Sequence, residues 1–292
     1  MIFSAVITTV IGLFSPMLAL AYAIGFNGKL ILSDRKKINS FYIVLLVLCI
    51  GVFLLSGNMI LGLNLIVGLV FSHYLFMRQL RSSLSYLNAV ISVGFLNLVY
   101  STLRHFFLRE NFVRTIEEGF TQNEELLENI VNTSEENKEL FLNTLDTLKE
   151  VYINYGVSFW TVSLILGAFL GALLFSKKNM LKWNIKNLML PYEIVYLVIV
   201  GLITAIIPQT RLVGFNFLLV LSSLFFIQGI SILVFYWGSF FKRSKLLLGI
   251  LIVAVLLNPY LLLLIVLTGL IDIWFDIRKI KRSEENNENN ND

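Results

Sequence analysis

The sequence predicts an all-α, polytopic transmembrane helical bundle with an extracytoplasmic helical insert. Three observations predict it. Charged residues make up 14% of the 292-residue chain, against about 25% in a soluble domain. The deficit lies in long stretches with no Asp, Glu, Lys or Arg at all. Those stretches are continuous in Leu, Ile, Val and Phe and do not alternate, which selects helices over barrel strands. In lipid a helix satisfies every backbone polar group within its own segment.

A span needs about 20 apolar residues to cross about 30 Å of hydrocarbon, and about eight such spans fit. Residues 1–28 are uncharged and interrupted by Pro16. They form either one kinked helix or a helix followed by a short second piece. No basic n-region precedes them, so this first span is expected to be retained. Residues 38–77 hold two spans with a turn at Ser56-Gly57-Asn58. The fourth and fifth fall at 82–103 and 151–176, the sixth between Pro191 and Pro208, and the seventh at 212–241. The eighth, 246–275, is broken by Asn258-Pro259. A hairpin there would make nine segments and keep Arg278, Lys279, Lys281 and Arg282 on the cytoplasmic side.

Lys and Arg concentrate in cytoplasmic loops. The 27–39, 77–83, 176–187 and 242–245 loops are basic, and those between them are short or acidic. This alternation places the insert outside; a single eighth span would then put the C-terminus outside as well, and the hairpin at Asn258-Pro259 is what returns it to the cytoplasm. The chain thus divides into a first membrane half (1–108), an acidic insert (109–150), a second membrane half (151–282) and a disordered Asn-rich tail (283–292).

The insert holds four Lys/Arg and eleven Asp/Glu, a net charge of −7. Its apolar residues recur at helical spacing, as in Phe141, Leu145, Leu148, Tyr152 and Tyr155. Thr121 to Glu124 and Thr133 to Glu136 fit capping boxes, and Gly119 suits a helix end. Two short helices and a longer one entering the fifth span are expected. This layer either rests solvated on the membrane domain or forms a dimer contact or a cap over a cavity.

Catalytic and metal motifs are missing. There are two histidines and one cysteine, Cys49, so an intrachain disulfide is impossible. No HExxH, GxSxG or phosphate-binding loop occurs. No enzyme activity, cofactor or metal is expected. The basic residues lie at membrane boundaries, so nucleic acid is not an expected partner; the lipid bilayer is.

Ionisable and polar groups inside lipid are functional suspects. Glu193, Asn64, Asn97, His73 and Gln228 are the candidate ligand-binding residues. Each also has a structural reading: Glu193 as a carboxylate at a helix N-terminus, His73 as an interface histidine, the amides as links between helices. Asp272 and Asp276, spaced i, i+4, read as a headgroup-level pair matched to Arg278 and Lys279. Small-residue stripes, Ser4/Thr8/Gly12 and Ser163/Gly167/Gly171, let helices approach closely. They serve packing within the chain, or docking of a membrane partner subunit or a second copy. Trp183 to Pro191 reads as an amphipathic stretch lying at the cytoplasmic interface.

The segment from Gly269 to Lys279, containing Asp272, Trp274, Asp276 and Arg278, resembles the C-terminal signature of the YybS-like family of predicted bacterial membrane proteins. Trp183 to Pro191 resembles that family's mid-chain segment, and Phe14 to Leu20 its proline-containing N-terminal element. The family has no established activity. It is loosely grouped with the substrate-binding membrane subunits of energy-coupling-factor transporters. The resemblance implies a bacterial cytoplasmic-membrane protein that is transporter-subunit-like, binding a small molecule or lipid-like compound without its own energy source. The alternative is an envelope scaffold acting through the acidic insert and the small-residue faces.

Overall fold

Pro16 ends one helix and starts the next. α1 (Ile2–Phe14) stops before Ser15, and α2 (Pro16–Ser33) takes the proline at its first position. There its missing N–H breaks no bond, and Ser15 Oγ accepts from the Leu18 amide at 3.4 Å. The second piece is therefore not short: it has 18 residues against 13. The computed structural model describes residues 2–33, 35–130, 135–178, 183–244, 251, 253–255 and 257–280. Among them all regular structure is helical.

The chain forms two compact units, Met1–Lys178 and Asn179–Asp292. The first continues with α3 (Arg35–Ser56) and, after a turn at Gly57 (φ 65°), α4 (Met59–Ser83). Asn58 Oδ1 caps α4 by accepting from the Leu61 amide at 3.0 Å. α5 (Tyr86–Phe107), α6 (Arg109–Ile130) and α7 (Glu135–Lys178) complete the unit. α7 lies along α2 and also contacts α5 and α6. Leu20, Ile24, Leu164, Ala168, Ala172 and Phe175 are among its fully buried side chains. The helix expected to open the second membrane half thus belongs to the first compact unit.

The insert departs from expectation. Instead of two short helices, α6 runs unbroken through Gly119 for 22 residues. A Cβ at Gly119 would meet nothing within 4 Å, so this glycine fills no packing need. A glycine inside a helix costs only about 1 kcal/mol relative to Ala, too little to end a helix whose apolar stripe continues. The capping-box residues Thr133 and Ser134 lie outside the described residues, as does the tail from Lys281.

The second unit holds a 3₁₀ turn (Ile185–Asn187), α8 (Ile194–Ile206), α9 (Arg211–Arg243) and α10 (Pro259–Phe275). The expected eighth span is interrupted at Asn258, whose Oδ1 accepts from the Tyr260 amide at 2.9 Å and caps α10. The direction of the preceding segment depends on residues 245–250, 252 and 256, which lie outside the described residues.

Among the described residues four helical segments are long and apolar enough to cross a membrane: Met59–Ser83, Tyr86–Phe107, Leu140–Ser176 and Arg211–Phe240. Shorter apolar helices cover the other expected spans where described. α8, at 13 residues, is only about 20 Å long.

Candidate functional site

In the first unit a groove of about 410 Å³ opens between α3 and α4. Tyr42, Ile43 and Leu46 line one side, and Val70, Phe71 and Tyr74 the other. Residues Ile66–Phe71 form a π turn inside α4, and Ser72 Oγ donates to the Val67 carbonyl five residues back, at 2.9 Å. The wider turn shifts the helix register. After it, His73, Phe76, Met77 and Leu80 are buried, while Phe71 and Tyr74 stay about half exposed. His73 does not line the groove. It sits behind it, with Nδ1 2.9 Å from the Tyr42 hydroxyl. The Tyr42 and Tyr74 rings meet edge to face, 5.5 Å apart.

The remaining polar candidates of this unit bond to one another. Asn64 Oδ1 accepts from Tyr100 Oη and from an Arg104 terminal nitrogen, both at 2.7 Å. Asn97 Nδ2 donates to Ser72 Oγ at 2.7 Å and to the Val93 carbonyl at 2.9 Å, and its Oδ1 accepts from Trp160 Nε1 at 3.3 Å. These asparagines tie α4, α5 and α7 together. They line neither groove nor cleft. Replacing Asn97 by Leu is expected to cost about 1–2 kcal/mol, since Trp160 Nε1 loses its acceptor. Asn88→Leu, at an exposed position, should stay within about 0.5 kcal/mol. Thermal unfolding in one detergent compares them.

Arg104 was not singled out from the sequence, because its place at the end of an apolar run looked interfacial. It is 5% exposed and has no carboxylate partner among the described residues. Its guanidinium lies 4.8 Å from the Phe112 ring centroid, 5.3 Å from Trp160 and 5.7 Å from Tyr100. Aromatic faces and the C-terminal end of α5 stabilise the cation there. Through Phe112, it also fixes the start of α6. A polar cleft of about 280 Å³ lies between the Ser56–Ile60 turn and α6. Its polar groups are engaged locally: Asn58 caps α4, and Arg114 donates to Asn111 at 2.9 Å.

The second unit contains a buried ionic cluster. Asp276 ends α10 in the left-handed conformation (φ 42°), and the reversed chain brings Arg278 back against the helix. Arg278 Nη2 meets Asp272 Oδ2 at 2.7 Å, with both side chains fully buried. Its Nε reaches the same oxygen at 3.2 Å. Nη1 donates to the Lys186 carbonyl at 2.6 Å and to Ser231 Oγ at 2.5 Å, and Nη2 also to the Leu188 carbonyl at 2.7 Å. All five guanidinium N–H donors therefore have acceptors. Gln228 Nε2 donates to Asp272 Oδ2 at 3.0 Å, and Gln228 Oε1 accepts from the Leu190 amide at 2.9 Å. One arginine thus joins the end of α10, the middle of α9 and the segment after Trp183.

These contacts correct two expectations. Asp272 and Asp276 do not act as a pair: Asp272 meets its expected match Arg278 in a buried contact, whereas Asp276 Oδ1 accepts from the Ile280 amide at 2.9 Å. Spacing puts both on one helix face, but the helix ends at Asp276, so only Asp272 faces inward. The stretch from Trp183 to Pro191 does more than lie at an interface. Leu188 and Leu190 are buried, and three of its carbonyls accept bonds from Arg278 or Ser231. Ser231 itself carried no signal in the sequence.

A family model described as "Predicted membrane protein (DUF2232)" matches residues 2–273. The chain belongs to this family. No curated protein and no solved structure matches it. The DUF2232 match includes the groove, the Trp183–Pro191 segment and Asp272, and ends before Trp274, Asp276 and Arg278. It identifies a membrane-protein family and assigns no activity.

The other candidates in this DUF2232 chain take structural positions. Glu193 is exposed at the N-terminus of α8, and its side chain makes no capping bond. Trp274 is half exposed, as an interfacial aromatic would be. The small-residue stripes pack within the chain. A Cβ at Gly167 would stand 2.6 Å from the Met17 carbonyl oxygen, and one at Gly171 2.7 Å from Ile24 Cβ. Gly12 faces Leu69, and Thr8 is buried. Ser163 Oγ donates to the Trp160 carbonyl at 2.8 Å within its own helix. Ser4 is only partly buried beside the Thr8 hydroxyl, which donates to its carbonyl at 2.8 Å.

Proposed function

We propose that this protein is a non-enzymatic, transporter-subunit-like binding protein of the bacterial cytoplasmic membrane, with the insert outside and the C-terminus inside. It takes a small amphiphile or lipid-like molecule and has no energy source of its own. It stands in the same relation to a membrane partner subunit as the energy-coupling-factor substrate-binding subunits that the sequence resembles. The α3–α4 groove carries this reading: it is apolar along its length and has tyrosine hydroxyls at hand, the composition of a small-molecule site. The helix breaks at Pro16 and Pro259 agree with it, since broken helices line binding sites in transporters.

Ile43 is 62% exposed and lines the groove, so Ile43→Trp fills the site without touching the core. Native mass spectrometry of the purified protein should find a bound molecule in wild type and lose it in Ile43→Trp. Equal retention by both would remove the groove as the site.

Exposed Leu140, Leu148 and Tyr152 on α7 favour a second reading, an envelope scaffold docking through the insert. Deleting residues 109–150 would then abolish partner recovery while leaving the groove occupied.

A further inference from the structure

We infer that the groove between α3 and α4 holds an anionic phospholipid, with an acyl chain along Ile43, Leu46, Val70 and Phe71 and the phosphate at Tyr74 and Arg78. The inference rests on the groove being a binding site, and adds the chemical class of its occupant.

Four observations point to a negative headgroup. Tyr74 is half exposed at the groove, and its hydroxyl has no hydrogen-bond partner among the described residues. Arg78 follows it by four residues, which places the two side chains on one face of α4. Arg78 is exposed and has no ion-pair partner among the described residues. Neither α3 nor α4 contains a single Asp or Glu, so nothing on the two helices that form the groove repels a phosphate.

The order of these groups matches an amphiphile entering from the bilayer. The apolar wall is open to lipid, because Phe71 and Ile43 are exposed on its two sides. The hydroxyl and the guanidinium follow in sequence towards the basic 77–83 turn, where the membrane interface is expected. An uncharged ligand would gain nothing from Arg78. A zwitterionic headgroup would bring its own cation against the same positive field. The cytoplasmic leaflet, where the positive-inside rule puts this turn, is the one that carries a negative surface potential.

The test uses the full chain reconstituted in vesicles of equal parts phosphatidylglycerol and phosphatidylcholine, extracted mildly and read for retained lipid by native mass spectrometry. Wild type should retain phosphatidylglycerol over phosphatidylcholine by about fivefold per engaged cation. Arg78→Gln should bring that ratio close to one, Arg78→Lys should keep most of it, and Tyr74→Phe should lower it. Ile43→Trp should lose both lipids. Equal retention of the two lipids by wild type, or a preference that survives Arg78→Gln, would overturn the headgroup assignment and leave the groove reading standing. Retention unchanged by Ile43→Trp would overturn both. Arg78 is exposed, so a folded Arg78→Gln is expected, and an elution profile matching wild type verifies it.

Discussion

Arg278→Gln is expected to destabilise the Asn179–Asp292 unit by about 3–5 kcal/mol, because it leaves the Asp272 carboxylate buried without its counter-charge. Desolvating a carboxylate is costly, and Gln228 alone cannot replace an ion pair. Arg278→Lys should not rescue it. Lysine offers three donors on a flexible stem, whereas the site uses five in a fixed planar arrangement. Combining Arg278→Gln with Asp272→Asn should recover part of the loss, since a neutral pair carries no orphaned charge. Denaturant unfolding in one detergent, run as a double-mutant cycle, gives the coupling. A single-variant loss below about 1 kcal/mol would mean that the cluster is not a structural tie. The Lys186 and Leu188 carbonyls would lose their donor in the same variant, so trypsin should cut faster at Lys186.

Gly269→Leu is expected to prevent α9 and α10 from packing. A Cβ at Gly269 would stand 2.0 Å from the Phe225 carbonyl oxygen and 2.8 Å from the Gly229 amide nitrogen; one at Gly229 would stand 2.2 Å from the Ile265 oxygen. These are backbone atoms on both sides, so no side chain can swing away. Even Gly269→Ala should cost about 1–3 kcal/mol, the range for overpacking, and larger residues more. The effect reaches the ionic cluster, because Asp272 lies less than one turn beyond Gly269 and must stay within reach of Gln228. Gly51→Ala is the matched control: a Cβ there meets nothing within 4 Å, and no loss is expected. Thermal unfolding and monodispersity after extraction measure both. A Gly269→Leu protein as stable as wild type would contradict the close approach.

Much of the local structure was legible in the residues. The run lengths specified membrane helices, Gly57 and Asn58 specified the turn before α4, and Asn258-Pro259 specified the start of α10. These features are local: a missing N–H, a positive φ or a capping oxygen acts within one turn of its own position. Gly119 misled for the opposite reason. Its local preference is weak, and the helix around it is long enough to override it.

The candidate site was legible only in part. The match of Asp272 with Arg278 was legible from their nearness in the chain, but Gln228's place in the same cluster was not, because 44 residues separate Gln228 from Asp272. The π turn at Ile66–Phe71 left no periodic trace in the sequence.

By itself the sequence determined that this chain is a membrane protein of helices, where several of those helices begin and end, and which polar groups would have to be satisfied inside it. Those properties follow from hydrophobicity summed over a segment and from backbone chemistry at single residues. Only the tertiary structure decided which partners the buried groups meet: Gln228 for Asp272, Asn64 and three aromatic rings for Arg104, the Tyr42 hydroxyl for His73. It also decided that the small-residue faces are covered by the chain's own helices. The reason is that a buried polar group needs a partner within about 3 Å, and packing, not sequence distance, brings one there.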